Sequence, residues 1–376
     1  MRICYFGTYE QDYVRNRTVI EGLRKNGCEV QECHVPLWER QRDKTGGYLK
    51  AVSLAIRAVE VGLAYVRLLF IYLFTVRPYD ILMVGYIGHL DMPLAWLLSR
   101  IPRRPLVFNP LVSLYDTLVD DRAVFSERSI MGRFLHGLDV WSCRAADLVL
   151  LDTDQHISYF VETFGLPRSK FLRVFVGVDE SVFNHRMERP GDSDFRIIFV
   201  GKYTPLHGID TMIQAAKLLS NEPTIRFQFI GSGQLSNKIQ SLCQQLKVTN
   251  VTFSDWVPYA DLPDTIAQSD ICLGIVGTTD KASRVIPGKV FWAMSMGRPV
   301  LTGDSPATRE LLTDGENALL CKRGDPESLS RAILRARNDP DLLKRIGRRG
   351  RETYLAHASE QRIGETVVGA LERLSA

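Results

Sequence analysis

The sequence predicts an α/β protein made of two tandem, doubly wound Rossmann-like domains that face each other across a cleft. Three observations carry this reading. Short apolar runs recur with amphipathic helical stretches between them, and the runs are continuous rather than alternating, as in parallel strands buried on both faces. A polar stretch with Pro and Gly, HRMERPGDSDF at 185–195, separates two well-patterned regions, and the order strand, loop, helix, strand starts again after it. The length, 376 residues, exceeds what one hydrophobic core of roughly 250 to 300 residues serves, and two domains imply a ligand-binding cleft between them.

The first domain, residues 1–188, takes its strands from the runs at 3–6, 81–84, 106–108 and 148–151. Between the first two lies a strongly apolar helix over about 49–76. Its most apolar stretch, Val61 to Val76, is interrupted by Arg67 and bounded by Glu60 and Arg77, so it falls short of the roughly 20 apolar residues of a spanning helix. Residues 39–104 carry ten Lys or Arg against five Asp or Glu, an excess larger than the whole chain's +4. A basic, apolar helix of this kind reads either as a buried helix with a basic rim or as a surface anchor for anionic lipid. The second domain, residues 189–351, takes strands from 197–200, 226–230, 251–253, 271–275 and 299–301. A last amphipathic helix, 352–376, with Tyr354, Ile363, Val367 and Leu371 on its apolar face, either extends this domain or crosses back to complete the first.

Composition narrows the function. With 45% hydrophobic and 24% charged residues the chain is globular, not disordered, collagenous or a coiled-coil array. A net charge of +4 is too small to argue for nucleic acid, and none is expected as a partner. The seven cysteines are scattered, without paired CxxC spacing or a nearby histidine cluster, and read as buried thiols of a reducing cytosol. The amino terminus, MRICYFGTY, enters a strand directly and lacks a signal-peptide h-region, so a cytoplasmic location is expected.

Chemistry is expected at the carboxyl ends of the strands, where helix N-termini offer free N–H groups to an anion. FRIIFVG ends at Gly201, and Lys202 and His207 follow in the loop before the next helix, either meeting phosphate or merely solvating and capping the turn. Gly231, in FIGSGQ, permits close backbone approach or a plain tight turn. Trp256 and Val257 could face a planar base or close the core. The richest run carries Gly277, Thr278, Arg284, Gly288 and Lys289 in a loop ahead of a helix from about 290, an arrangement that suits a diphosphate. Ser305 and Glu310 follow the next strand. In the first domain Gly7 ends the first strand, His89 and Asp91 follow the second, and Asp116 follows the third. Asp116 and His89 are candidates for the group that orients or deprotonates an acceptor hydroxyl, with His89 equally readable as a satisfied structural histidine.

The order VGKYTPLHGID, FIGSGQ, WVPYADLP, IPGKVFWAMSMGRPVLTGDSPATRELL and DGENALLCKRGDPESLSRAI resembles the donor domain of GT-B glycosyltransferases of family 4, the retaining, nucleotide-sugar-dependent class. DTDQHISYFVETFG and RVFVGVDESVF extend the resemblance into the end of that family's acceptor domain, over roughly 145–350 in all. It implies Lys202 and His207 as the phosphate-loop cations, Gly7 as the glycine that admits the diphosphate, and Asp116 where the family often has a histidine. Two glutamates separated by seven residues, one meeting the donor sugar and one the ribose, are replaced by Arg284 and Trp292. Trp292 cannot accept a ribose hydroxyl hydrogen bond, whereas Arg284 brings a permanent cation towards the phosphates.

The resemblance therefore implies a retaining transfer from a nucleotide-diphosphate sugar to a hydroxyl of a glycan or lipid-linked acceptor, in envelope polysaccharide or glycolipid assembly. Catalysis would rest on positioning and on neutralising the leaving diphosphate, with Asp116, His89, Lys202 and Arg284 as its residues. No Asp-x-Asp occurs among the donor-domain motifs, so neither a metal nor another cofactor is expected. Loss of both glutamates leaves open an alternative: a catalytically silent GT-B module that binds nucleotide or glycan within an assembly.

Overall fold

In the computed structural model, residues 1–37, 51–183 and 194–375 are described, the side chains of 51–58 excepted. Most of the expected linker, together with Arg40, Arg42, Lys44, Lys50 and the side chain of Arg57, lies outside the described residues.

The first domain runs β1 (Arg2–Gly7), α1 (Val14–Lys25), β2 (Glu29–His34), α2 (Ala51–Thr75), β3 (Ile81–Val84), α3 (Met92–Arg100), β4 (Leu106–Phe108), a short π-helical turn (Asp116–Asp121), α4 (Ile130–Ala145), β5 (Leu148–Leu151), α5 (Asp154–Phe164) and β6 (Phe171–Arg173). Its strands pair in parallel in the order β2-β1-β3-β4-β5-β6. The continuous apolar character of β1 follows from burial on both faces. Cys4 and Phe6 pack with Leu68, Ala95 and Leu98 on one side, and Ile3 and Tyr5 pack with Val19 and Leu23 on the other.

The second domain runs β7 (Phe195–Val200), α6 (Ile209–Leu218), β8 (Ile225–Ile230), α7 (Ser236–Gln245), β9 (Val251–Ser254), α8 (Leu262–Ala267), β10 (Ile271–Leu273), α9 (Asp280–Arg284), α10 (Gly288–Ser295), β11 (Val300–Gly303), β12 (Leu319–Cys321), α11 (Pro326–Arg337) and α12 (Pro340–His357). Its parallel order is β12-β11-β10-β7-β8-β9. Both sheets reverse direction beside their first strand, β1/β3 in one and β7/β10 in the other. Those crevices are where such sheets bind ligands.

The helix expected at 352–376 is two helices, because α12 ends at His357 and α13 spans Glu360–Ser375. α13 lies on α1 of the first domain, with Ile363 and Val367 in the core shared with Val19 and Leu23. The approach is close enough that a Cβ on Gly364 would stand 1.9 Å from the Gly22 carbonyl oxygen. Lys25, between Glu180 and Glu360 at 2.6 and 2.7 Å, fastens the same junction. Among the described residues no helix is long and apolar enough to cross a membrane.

Candidate active site

At the β7/β10 crevice the chain builds a small cationic pocket. Helix α10 starts at Gly288, earlier than the sequence suggests, so Gly288 and Lys289 are its first residues and not loop residues. Lys289 is buried, and its Nζ lies 4.0 Å from the Phe199 ring centroid with no hydrogen-bond partner. A Cβ on Gly201 would stand 2.7 Å from that Nζ, so the glycine at the end of β7 makes room for the lysine. Burial pushes the Lys289 ammonium well below the usual lysine range. Burial first, and Lys289 next, push His207 well below the ordinary histidine value, while its Nδ1 lies 3.0 Å from Thr204 Oγ1. Lys202 is exposed at the pocket's edge.

Gly231 abuts the Gly201 carbonyl, which an added Cβ would approach to 2.3 Å, and Trp256 stands beside it, 41% exposed, with Nε1 donating to Ser232 Oγ at 3.2 Å. Trp256 is thus a ledge open to a planar group, while Val257 packs into the core.

Several expected donor residues have other tasks. A Cβ on Gly277 would stand 2.4 Å from the Leu206 carbonyl oxygen, so this glycine lets two loops pack backbone to backbone. Thr278 lines a separate groove of about 510 Å³ with Asp304 and Arg323, at the ends of β11 and β12. Ser305 is buried in its own turn, where its N–H donates to Thr308 Oγ1 at 2.9 Å. Trp292 stacks on Phe183 with centroids 5.9 Å apart and planes 11° apart, which places its ring in the core. Glu310 reaches into the first domain: its carboxylate accepts from the N–H groups of Asp154 and Gln155 at 2.8 and 2.9 Å, capping α5 from across the cleft.

The first domain also differs from expectation. Gly7 faces not an open diphosphate path but Asp91, whose Oδ2 would lie 2.4 Å from an added Cβ and which accepts from Thr8 N at 2.8 Å. His89 is 1% exposed, packs edge-on to Phe108, and has Nε2 3.0 Å from Asp139 Oδ1. Asp139 in turn accepts from Ser113 Oγ at 2.7 Å and Tyr115 N at 2.9 Å. His89 is thus buried beside Asp139, which holds the 113–115 loop, and matches the structural alternative for this histidine.

That loop carries Asp116, which is fully buried and meets two cations of the other domain: Arg284 Nη2 at 2.6 Å and Lys281 Nζ at 3.0 Å. Burial opposes its ionisation, but Lys281, His156 and Arg284 together hold its carboxyl below the usual range. Lys281 also donates to Thr117 Oγ1 at 2.8 Å, and the Arg284 guanidinium lies 4.0 Å from the Tyr159 ring centroid. Sequence reasoning missed Lys281 because residues 280–284 read as loop. As helix α9 they put Lys281 and Arg284 three residues apart on one face. It also missed His156, buried on α5 with Nδ1 2.6 Å from Asp152 Oδ1 and Nε2 unpartnered. Among the described residues no cluster of His, Cys, Asp or Glu could hold a metal ion.

Comparison with known proteins gives this geometry a context. The segment 194–339, which holds the Lys289 pocket and α9, matches the family described as glycosyl transferases group 1. The whole chain has the GT-B fold. Sucrose-phosphate synthase from Thermosynechococcus elongatus superposes with a TM-score of 0.73 at 16% identity, covering 100% of this chain and 99% of that one. Anabaena HepE in complex with UDP gives 0.68 at 15% identity, with 99% of each chain covered. In sequence, the lipopolysaccharide core biosynthesis glycosyltransferase LpsE of Rhizobium meliloti (strain 1021) is 24% identical over 187 residues, 50% of this chain and 52% of that protein. The matches span between 44% and 65% of the lengths of such curated relatives.

Proposed function

We propose that the protein is a retaining glycosyltransferase that moves a sugar from a nucleoside-diphosphate donor to a hydroxyl of a lipid-linked or envelope glycan. It would work at the cytoplasmic face of a membrane that α2 helps it reach. One observation carries the reading: Lys289, buried and without a hydrogen-bond partner at the first turn of α10, stands at the crevice of the second sheet. A buried ammonium without a partner is costly, and a diphosphate at the helix N-terminus would satisfy both it and the free N–H groups. Trp256 offers a stacking ledge for the base. The HepE complex with UDP and the LpsE likeness support this donor and acceptor class.

In this reading the donor leaves as a diphosphate whose charge is met by Lys289, Lys202 and the α10 N-terminus, with Arg284 and Asp116 shaping the space across the cleft. These cations replace a divalent metal, so EDTA should leave transfer intact. Activity abolished by EDTA and restored by magnesium or manganese would refute that part. The first measurement is calorimetric titration with UDP: Lys289→Ala should weaken binding tenfold or more, and an unchanged affinity would remove the pocket from the donor site.

A second reading, a silent GT-B module, is favoured by the Arg284–Asp116 pair and the packing of Trp292, which occupy the positions of the two missing glutamates. Release of nucleoside diphosphate from a panel of donor sugars, with and without lipid acceptor, separates the two. Binding without release identifies the silent module.

A further inference from the structure

The first domain exposes far more apolar surface than the second, and that surface is concentrated on one side of its sheet. Helices α2, α3 and α4 each cross over to a strand further along β1-β3-β4-β5. Right-handed crossovers place all three on the face opposite α1. They touch in sequence: Tyr72 of α2 donates to the Leu98 carbonyl of α3 at 3.3 Å, and Trp96 of α3 meets Trp141 of α4 with centroids 6.4 Å apart.

On the outside of this layer, α2 shows a stripe at spacings of four and three: Val59, Leu63, Val66, Phe70 and Leu73, each at least 55% exposed. Just past α3, Ile101 is 75% exposed, and on α4 Ile130 and Phe134 are 90% and 55% exposed. Monomeric proteins rarely leave so extended an apolar face uncovered. Its charge selects the occupant. Across residues 59–77, 92–104 and 127–144 there are eight arginines against three acids, one of which, Asp139, is buried. Against a second copy of itself this face would juxtapose like charges. Against an anionic bilayer the arginines meet lipid phosphates while the apolar side chains enter the acyl boundary.

We propose that α2, α3 and α4 together form a docking face for an anionic bilayer, so that membrane contact is made by a three-helix layer and not by α2 alone. The face reaches the cleft, because α4 begins with Ile130 shortly after the turn that carries Asp116. Taken with the proposed function, on which this last step rests, the acceptor hydroxyl enters the cleft from a carrier embedded in the same bilayer.

Flotation with phosphatidylcholine vesicles, with and without phosphatidylglycerol, tests this on the full chain. Phe70→Glu and Ile130→Glu lie on different helices at exposed positions, and each should lower partition onto phosphatidylglycerol vesicles at least tenfold while UDP affinity stays unchanged. Loss with Phe70→Glu alone, or with neither, overturns the three-helix face. So does a lipid-free dimer in sedimentation that these same variants dissolve. Flotation that behaves as expected in a chain that fails to bind UDP upholds the docking face and refutes the donor reading.

Discussion

Lys289 and His207 are cations held in their neutral direction by burial, and an anionic ligand would reverse that. Binding a diphosphate should raise both pKa values, so the complex should take up protons and affinity should increase as pH falls. Calorimetry of UDP binding in buffers of different ionisation enthalpy should show this uptake, and Lys289→Ala should reduce it. Asp116 behaves in the opposite sense. Its folded pKa is depressed, so its contribution to stability is full above the unfolded value of about 3.9 and disappears as pH falls through the lower folded value. Asp116→Asn leaves Lys281 and Arg284 facing each other without a carboxylate, which should cost about 3 kcal/mol in urea unfolding and flatten the acid limb below pH about 4. Lys289 and Asp116 could be singled out in the sequence because each follows a strand end. Their partners could not, because Phe199, Lys281 and His156 come from other elements and only packing brings them together.

At the scale of elements, nine of the twelve strands among the described residues are legible as continuous apolar runs, and the other three differ in identifiable ways. β2 lies at a sheet edge and reads EVQECH, without a continuous apolar run, while β6 and β12, also at edges, have only three residues each. Helix α9 escaped because it has only five residues and buries a lysine. The junction of α1 and α13 depends on glycines for a different reason than flexibility: Gly22 and Gly364 bring two helix backbones into contact. Gly364→Val should therefore force the helices apart and lower stability by about 2 kcal/mol or more, read as a shift of the urea midpoint. An unchanged midpoint would mean that α13 can slide without cost.

For the whole molecule, two polar junctions join the domains, Asp116 with α9 and Glu310 with the start of α5, beside an apolar cluster that Leu111 of the first domain shares with Ile286 and Phe291 of the second. The double variant Asp116→Asn with Glu310→Gln should raise the radius of gyration in small-angle scattering. A constant radius would show that the apolar cluster around Leu111 and the return of α13 to the first domain hold the arrangement by themselves. The return of α13 to the first domain has a separate consequence, during synthesis. The α1 side of the first core, with Val19 and Leu23, stays uncovered until residues 360–375 leave the ribosome, whereas the segment 194–339 has emerged in full by then. The domain translated first is thus the one completed last, and its open flank is what a nascent-chain chaperone would meet.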